Sequence, residues 1–208
     1  MHWDAYMHPI IQALVDVEAT PDICSDVVDP YVRAMYNHLD AGMVVGWSGT
    51  VHRLPFISLA QCSDILAMAG EYQVNPDEDE DYQIPEFPLP ADFDMSFIDD
   101  WTVLAYQGLF RGHAQLARYE GGETQFHHDM DSELTVVINL TASASGGTGI
   151  RTAVHRVTNI DPLPIGHGIM FPGRLVHHRG LRCYGQRNLL VLWLKKVDFE
   201  TLEPIPIS

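Results

Sequence analysis

The chain has 208 residues, 46% hydrophobic and 19% charged, which is enough for one domain with a substantial core and too apolar for a disordered chain. Its 12 Lys and Arg stand against 28 Asp and Glu, and the resulting formal charge of −16 argues against binding nucleic acid or an anionic membrane surface. Cys24, Cys62 and Cys183 are widely spaced and form no CxxC pair, which argues against a disulfide framework or zinc knuckle and points to a reducing compartment.

The N-terminus lacks a basic and apolar leader, and no apolar run approaches the ~20 residues of a membrane helix, so a soluble cytoplasmic protein is expected. Residues 1–53 are expected to form a helical extension. Asp29 followed by Pro30 is a helix-start signal, and Val32, Met35, Tyr36 and Leu39 recur at helical spacing before Gly42. Over 58–69, Ser58 and Gln61 make a capping-box pair, and Leu59, Cys62, Ile65, Leu66 and Ala69 share one helical face. Residues 73–100 contain Pro76, Pro85, Pro88, Pro90 and the acidic run 77–81, and read as a solvated loop. A loop of this length also suits a lid or binding loop.

From residue 101 the pattern turns to short strands, expected over 102–110, 114–119, 133–141, 150–160, 167–171, 174–178 and 188–195. Turn signals separate them: Gly121-Gly122, Gly146-Gly147, Asp161-Pro162, Pro172-Gly173 and Gly185. This frequency of turns predicts a β-sandwich or barrel. The expected architecture is α+β but mainly β, with N-terminal helices packed on a C-terminal barrel.

Two histidine clusters fall in the strand-rich half, His127-His128-Asp129 and His177-His178. Side chains at i and i+2 of extended chain share a face, so His127 and Asp129 can reach one ion while His128 points away. A third ligand from a distant strand would complete a two-His-one-carboxylate triad, which leaves open positions on Fe(II). Arg187 opens an apolar strand, where a buried guanidinium needs an anion; its planar fork suits a carboxylate. An Arg187 on the rim, paired with a surface acid, is the alternative.

Taken in order, Arg118-Tyr119-Glu120-Gly121-Gly122, then Gln125-Phe126-His127-His128-Asp129, then Gly166-His167-Gly168-Ile169-Met170-Phe171-Pro172-Gly173, then His177-His178-Arg179-Gly180, then Arg187, resemble the Fe(II)/2-oxoglutarate-dependent dioxygenases. Within them the similarity is to the catalytic domain of the lysyl and prolyl hydroxylases, and it spans about residues 54–196. The resemblance implies a double-stranded β-helix (jelly-roll, cupin-like) domain over 54–208. It implies Fe(II), 2-oxoglutarate and O2, with ascorbate as an optional reductant, and release of succinate and CO2 as a C–H bond is hydroxylated. The substrate it implies is a prolyl or lysyl side chain in a protein or peptide. Alternatives are a small-molecule hydroxylase on the same fold and a metal cupin that does not use 2-oxoglutarate.

Residue by residue, His127, Asp129 and His178 match the family's iron ligands, and Arg187 matches the arginine that pairs with the far carboxylate of 2-oxoglutarate. Tyr119 matches a tyrosine that contacts the cosubstrate. Asn139 is a further cosubstrate candidate because it shares strand parity with Thr135 and Val137; a buried asparagine satisfied by backbone is the alternative. For the distal ligand, counting forward from Gly173 favours His177 and counting back from Arg187 favours His178. The constrained separation from the arginine selects His178. Trp193 reads as core, and the remaining histidines as surface or locally bonded residues.

Overall fold

The computed structural model describes residues 51–76, 83–153 and 156–198. The chain divides into two compact units, one of Val51–Ile150 and Asn159–Pro206, the other of Met1–Thr50, Arg151–Thr158 and Ile207–Ser208. The helix expected before Gly42 and the acidic run 77–81 lie outside the described residues.

The described chain is mainly β. Its elements are β1 (His52–Pro55), α1 (Leu59–Ala67), β2 (Glu86–Pro88), a 3-10 turn (Ser96–Ile98), α2 (Asp99–Tyr106), β3 (Leu109–Glu120), β4 (Leu134–Asn139), β5 (Thr148–Ala153), β6 (Arg156–Ile160), β7 (His167–Phe171), β8 (His178–Gly180) and β9 (Gln186–Val197). Six strands form a sheet in the order β1-β7-β4-β9-β3-β2, antiparallel throughout, and three form a smaller sheet in the order β6-β5-β8. Among the described residues, no helix is long and apolar enough to cross a membrane.

Strand alternation gives the large sheet two different faces. Even-numbered Leu116, Val136, Leu190, Leu192 and Leu194 are wholly buried, in one cluster with Cys62 and Ile65 of α1 and with Ile98. Burying each such side chain stabilises the fold by about 1.5–3 kcal/mol. The odd-numbered residues Ala117 and Tyr119 of β3, Thr135 and Val137 of β4, and Leu189, Val191 and Trp193 of β9 line a cleft on the other face. Register keeps them together, because Ala117 pairs with Leu189, Tyr119 with Arg187, and Thr135 with Trp193. The smaller sheet contributes Thr148, His178 and Gly180 to the same cleft.

The capping box forms as the sequence predicts. Ser58 Oγ accepts from the Gln61 amide at 3.3 Å, and Gln61 Oε1 accepts from the Ser58 amide at 2.9 Å. Cys62 and Ile65 face the sheet, whereas Leu59, assigned to the same face, is 65% exposed.

Three expected elements differ. Residues 102–110 are not one strand: α2 occupies Asp99–Tyr106 and ends at Gln107 in the left-handed region (φ 52°), and β3 begins at Leu109. A short apolar run with β-branched Thr102 and Val103 fits either periodicity. Asp99 and Asp100 in the first turn favour the helix by meeting its positive end. The strand expected over 150–160 is two strands, β5 and β6, separated at residues 154 and 155, which lie outside the described residues. The strand expected over 174–178 begins as a turn, with the Leu175 and Val176 amides bonded to the Pro172 carbonyl at 3.2 and 3.0 Å, and only His178 continues into β8. The loop of 73–100 also carries more structure than expected: β2, the 3-10 turn and the start of α2.

Candidate metal and cosubstrate site

His127 and His178 form an isolated antiparallel bridge, each amide donating to the other's carbonyl at 2.9 and 3.0 Å. Directly opposed residues put their side chains on the same side, and the two imidazole centroids are 4.4 Å apart. Asp129, two residues beyond His127, turns to the same side with one carboxylate oxygen 3.5 Å from His127 Nε2 and the other 3.5 Å from His178 Nε2. All three prospective ligand atoms lie within 4.8 Å of one another. The same register sends His128 and His177 to the opposite side, where their rings stack at 4.6 Å. The structure thus brings His178, and not its neighbour His177, to His127 and Asp129.

The surroundings prepare each group to coordinate a cation. His127 Nδ1 lies 2.8 Å from the Gln125 carbonyl and His178 Nδ1 lies 2.9 Å from the Val176 carbonyl. A carbonyl accepts only, so both Nδ1 atoms carry the hydrogen and both Nε2 lone pairs face the carboxylate. Burial pushes the His178 imidazole down to about 4, and the charges of Asp129 and His127 act on it in opposite senses. It is therefore neutral at neutral pH. Burial disfavours the Asp129 carboxylate, but the two neighbouring histidines and the Thr135 hydroxyl outweigh it and hold the group down to about 2. Thr135 donates to Asp129 Oδ2 at 2.5 Å. Two imidazoles and one anionic carboxylate with an open side form a donor set that suits Fe(II).

Arg187 is only 3% exposed. Its Nε and Nη2 donate to Asn139 Oδ1 at 3.1 and 2.8 Å, and its Nη1 donates to the Gly147 carbonyl at 2.9 Å. Among the described residues no carboxylate pairs with it, so the rim alternative with a surface acid does not describe its surroundings. Burial pulls its pKa down, opposed by Tyr119 and Cys183. Asn139 is engaged on both ends, since its Nδ2 donates to the Leu163 carbonyl at 2.5 Å.

The cleft is open to solvent and spans about 540 Å³ with that open space included. His127, Asp129, His178, Tyr119 and Gly147 are in its wall; Arg187 and Asn139 lie behind that wall, with the guanidinium carbon 5.9 Å from the centre of the Tyr119 ring. Burial pushes the Tyr119 hydroxyl up to about 12, against the pull of Arg187, so it is a proton-bearing donor at neutral pH.

Several wall residues were not expected from the sequence. Trp193 lines the cleft instead of the core and stacks on His113 at 5.2 Å. Its parity with Arg187 on β9 was the available signal. Thr124 accepts from the Gly180 amide at 2.7 Å and bonds the Tyr119 hydroxyl. A Cβ on Gly180 would stand 2.1 Å from that hydroxyl oxygen. Gly180→Ala is therefore expected to displace the Tyr119 ring and destabilise the fold by about 1–3 kcal/mol, the cost of an overpacked contact, which a thermal melt reads.

The fold is the jelly roll of the 2-oxoglutarate–Fe(II) oxygenases. A prolyl-4-hydroxylase from Pseudomonas putida superposes with a TM-score of 0.56 at 17% identity, covering 80% of this chain and 100% of that one. A 2OG-Fe(II) oxygenase-family oxidoreductase from Burkholderia pseudomallei gives 0.57 at 14% identity, with 75% and 90% covered. The non-heme α-ketoglutarate-dependent epimerase SnoN of nogalamycin biosynthesis gives 0.55 at 12% identity, with 85% and 94% covered. No protein-family model and no curated protein matches the sequence.

Proposed function

We propose that the chain is an Fe(II)- and 2-oxoglutarate-dependent oxygenase, with His127, Asp129 and His178 as the metal ligands and Arg187 as the anchor of the cosubstrate's far carboxylate. The observation that carries this is the buried Arg187 guanidinium, which has no carboxylate partner among the described residues and lies behind the wall of the cleft that holds the His-Asp-His group. A charge so placed is costly unless an anion meets it. A metal alone would not need it, which favours 2-oxoglutarate over a plain metal cupin.

Fe(II), when bound with 2-oxoglutarate and O2, supplies oxidative decarboxylation to succinate and CO2 coupled to hydroxylation of a C–H bond. The protein's part is to hold and orient. The Nε2 atoms of His127 and His178 and the Asp129 carboxylate present three donors from one side. Arg187 draws the far carboxylate inward, and the Tyr119 hydroxyl donates a hydrogen bond along the way. Val137, Leu189 and Val191 keep the cleft apolar between the two charged ends.

The catalytic domain is proposed to span 54–208, with 1–53 as an extension, in a cytoplasmic protein and with ascorbate as an optional reductant. A prolyl or lysyl side chain of a protein or peptide is the first substrate class to test, supported by the likeness to a prolyl-4-hydroxylase. A small metabolite is the second, supported by the likeness to the epimerase SnoN of nogalamycin biosynthesis, whose TM-score of 0.55 is close to the hydroxylase's 0.56. The test is anaerobic loading with Fe(II) and 2-oxoglutarate, followed by oxygen, with succinate as the readout. Succinate is expected only when all three are present, slowly without substrate and faster with it. Metal uptake with no succinate under any condition would favour the metal cupin.

A further inference from the structure

Every contact that fixes Arg187 is made by a neutral group. Asn139 Oδ1 takes two of its N–H donors and the Gly147 carbonyl takes a third. A guanidinium has five such donors, so part of the fork and the whole of its charge remain. Asn139 is itself locked, because its Nδ2 is tied to the Leu163 carbonyl and its own carbonyl accepts from the Gly166 amide at 2.8 Å. An aspartate has nearly the same shape and would accept the same two donors. It would also neutralise the cation and leave nothing for an incoming carboxylate.

We infer that Asn139 is a positioning residue whose neutrality sets the site's affinity for a carboxylate: it holds Arg187 in place without discharging it. The inference rests on the proposed use of 2-oxoglutarate. It changes the expectation that Asn139 touches the cosubstrate, since both ends of its amide are occupied by protein.

The test compares Asn139→Asp and Asn139→Ala with the wild-type full chain loaded with Mn(II), a redox-quiet ion for the same donors. Calorimetry reads the affinities for Mn(II) and for 2-oxoglutarate, and a thermal melt reads stability. Both variants lose the bond donated to Leu163, and Asn139→Asp also sets a carboxylate oxygen against that carbonyl, a cost that the thermal melt reads apart from the ligand affinities. Asn139→Asp should keep Mn(II) affinity and weaken 2-oxoglutarate binding by about 100-fold or more, because an internal ion pair must be broken to admit the ligand. Asn139→Ala should weaken it by only about 10-fold, since the charge stays available while its position loosens. Asn139→Ala should nevertheless be the less stable of the two, with its guanidinium donors unsatisfied. A merely structural role predicts that affinity follows stability, with Asn139→Ala worse in both, and that ordering would overturn the inference. Wild-type affinity in Asn139→Asp would overturn it as well. A wild-type chain that takes Mn(II) but no 2-oxoglutarate would overturn the proposed function and this inference together.

Discussion

Asp129→Ala is expected to lower Fe(II) affinity by roughly 100- to 1,000-fold, on the scale of four-ligand zinc-finger sites, which are worth ~10–16 kcal/mol or about 3 kcal/mol per ligand. Asp129 is the one anion among the three donors and the group to which both Nε2 atoms point. Without it, two neutral imidazoles are left to hold a dication. His128→Ala is the matched control. His128 is adjacent in sequence, but its ring stacks on His177 on the far side of the bridge, so metal affinity should change by no more than a few-fold. Chelator competition under anaerobic conditions reads both. If His128→Ala abolished uptake and Asp129→Ala preserved it, the register of the bridge would be wrong by one residue.

The second large effect belongs to Arg187. Arg187→Met should remove ~3–5 kcal/mol of 2-oxoglutarate binding, more than a hundredfold in affinity, with Fe(II) binding intact. Arg187→Lys should fall between, since a point charge lacks the fork. The free protein should tolerate Arg187→Met well. Relief from burying an unpaired charge offsets the acceptors left open on Asn139 and Gly147, about 1–3 kcal/mol each. The ligand-induced rise in melting temperature should disappear. In the wild type it corresponds to about 2.7 kcal/mol at a ligand concentration 100 times Kd. Unchanged 2-oxoglutarate affinity in Arg187→Met would remove Arg187 from the site and favour a metal cupin.

Much of this was legible where a strict two-residue period or a local cap writes structure into sequence. The same-side placement of His127 and Asp129, the outward turn of His128 and the capping box at Ser58 are of that kind. Less legible was whatever depends on a distant segment. By periodicity a helix and a strand fit 102–106 equally well, and only the acidic first turn at Asp99 and Asp100 tips the balance to α2. Trp193 follows the parity of Arg187, but only the pairing of β9 with β3 and β4 shows which parity faces the cleft. The parity of Asn139 was readable, yet its binding of Arg187 is a contact across 48 positions of chain. The count back from Arg187 selected His178 over His177, but the bridge that sets His178 opposite His127 joins segments that no count along the chain connects.

That bridge has a mechanical consequence. It is an isolated pair outside the named strands on the His127 side, but the two segments it joins are also tied by the Gly121 amide to the Cys183 carbonyl, the Thr124 amide to the Gly180 carbonyl and the Asp129 amide to the Gly173 carbonyl, at 2.9, 3.1 and 3.1 Å. Backbone bonds on both sides of the bridge thus gather the two rings before any ion arrives. A cation would meet a socket already set in the lip of the roll, and loading it should leave the shape of the entrance unchanged.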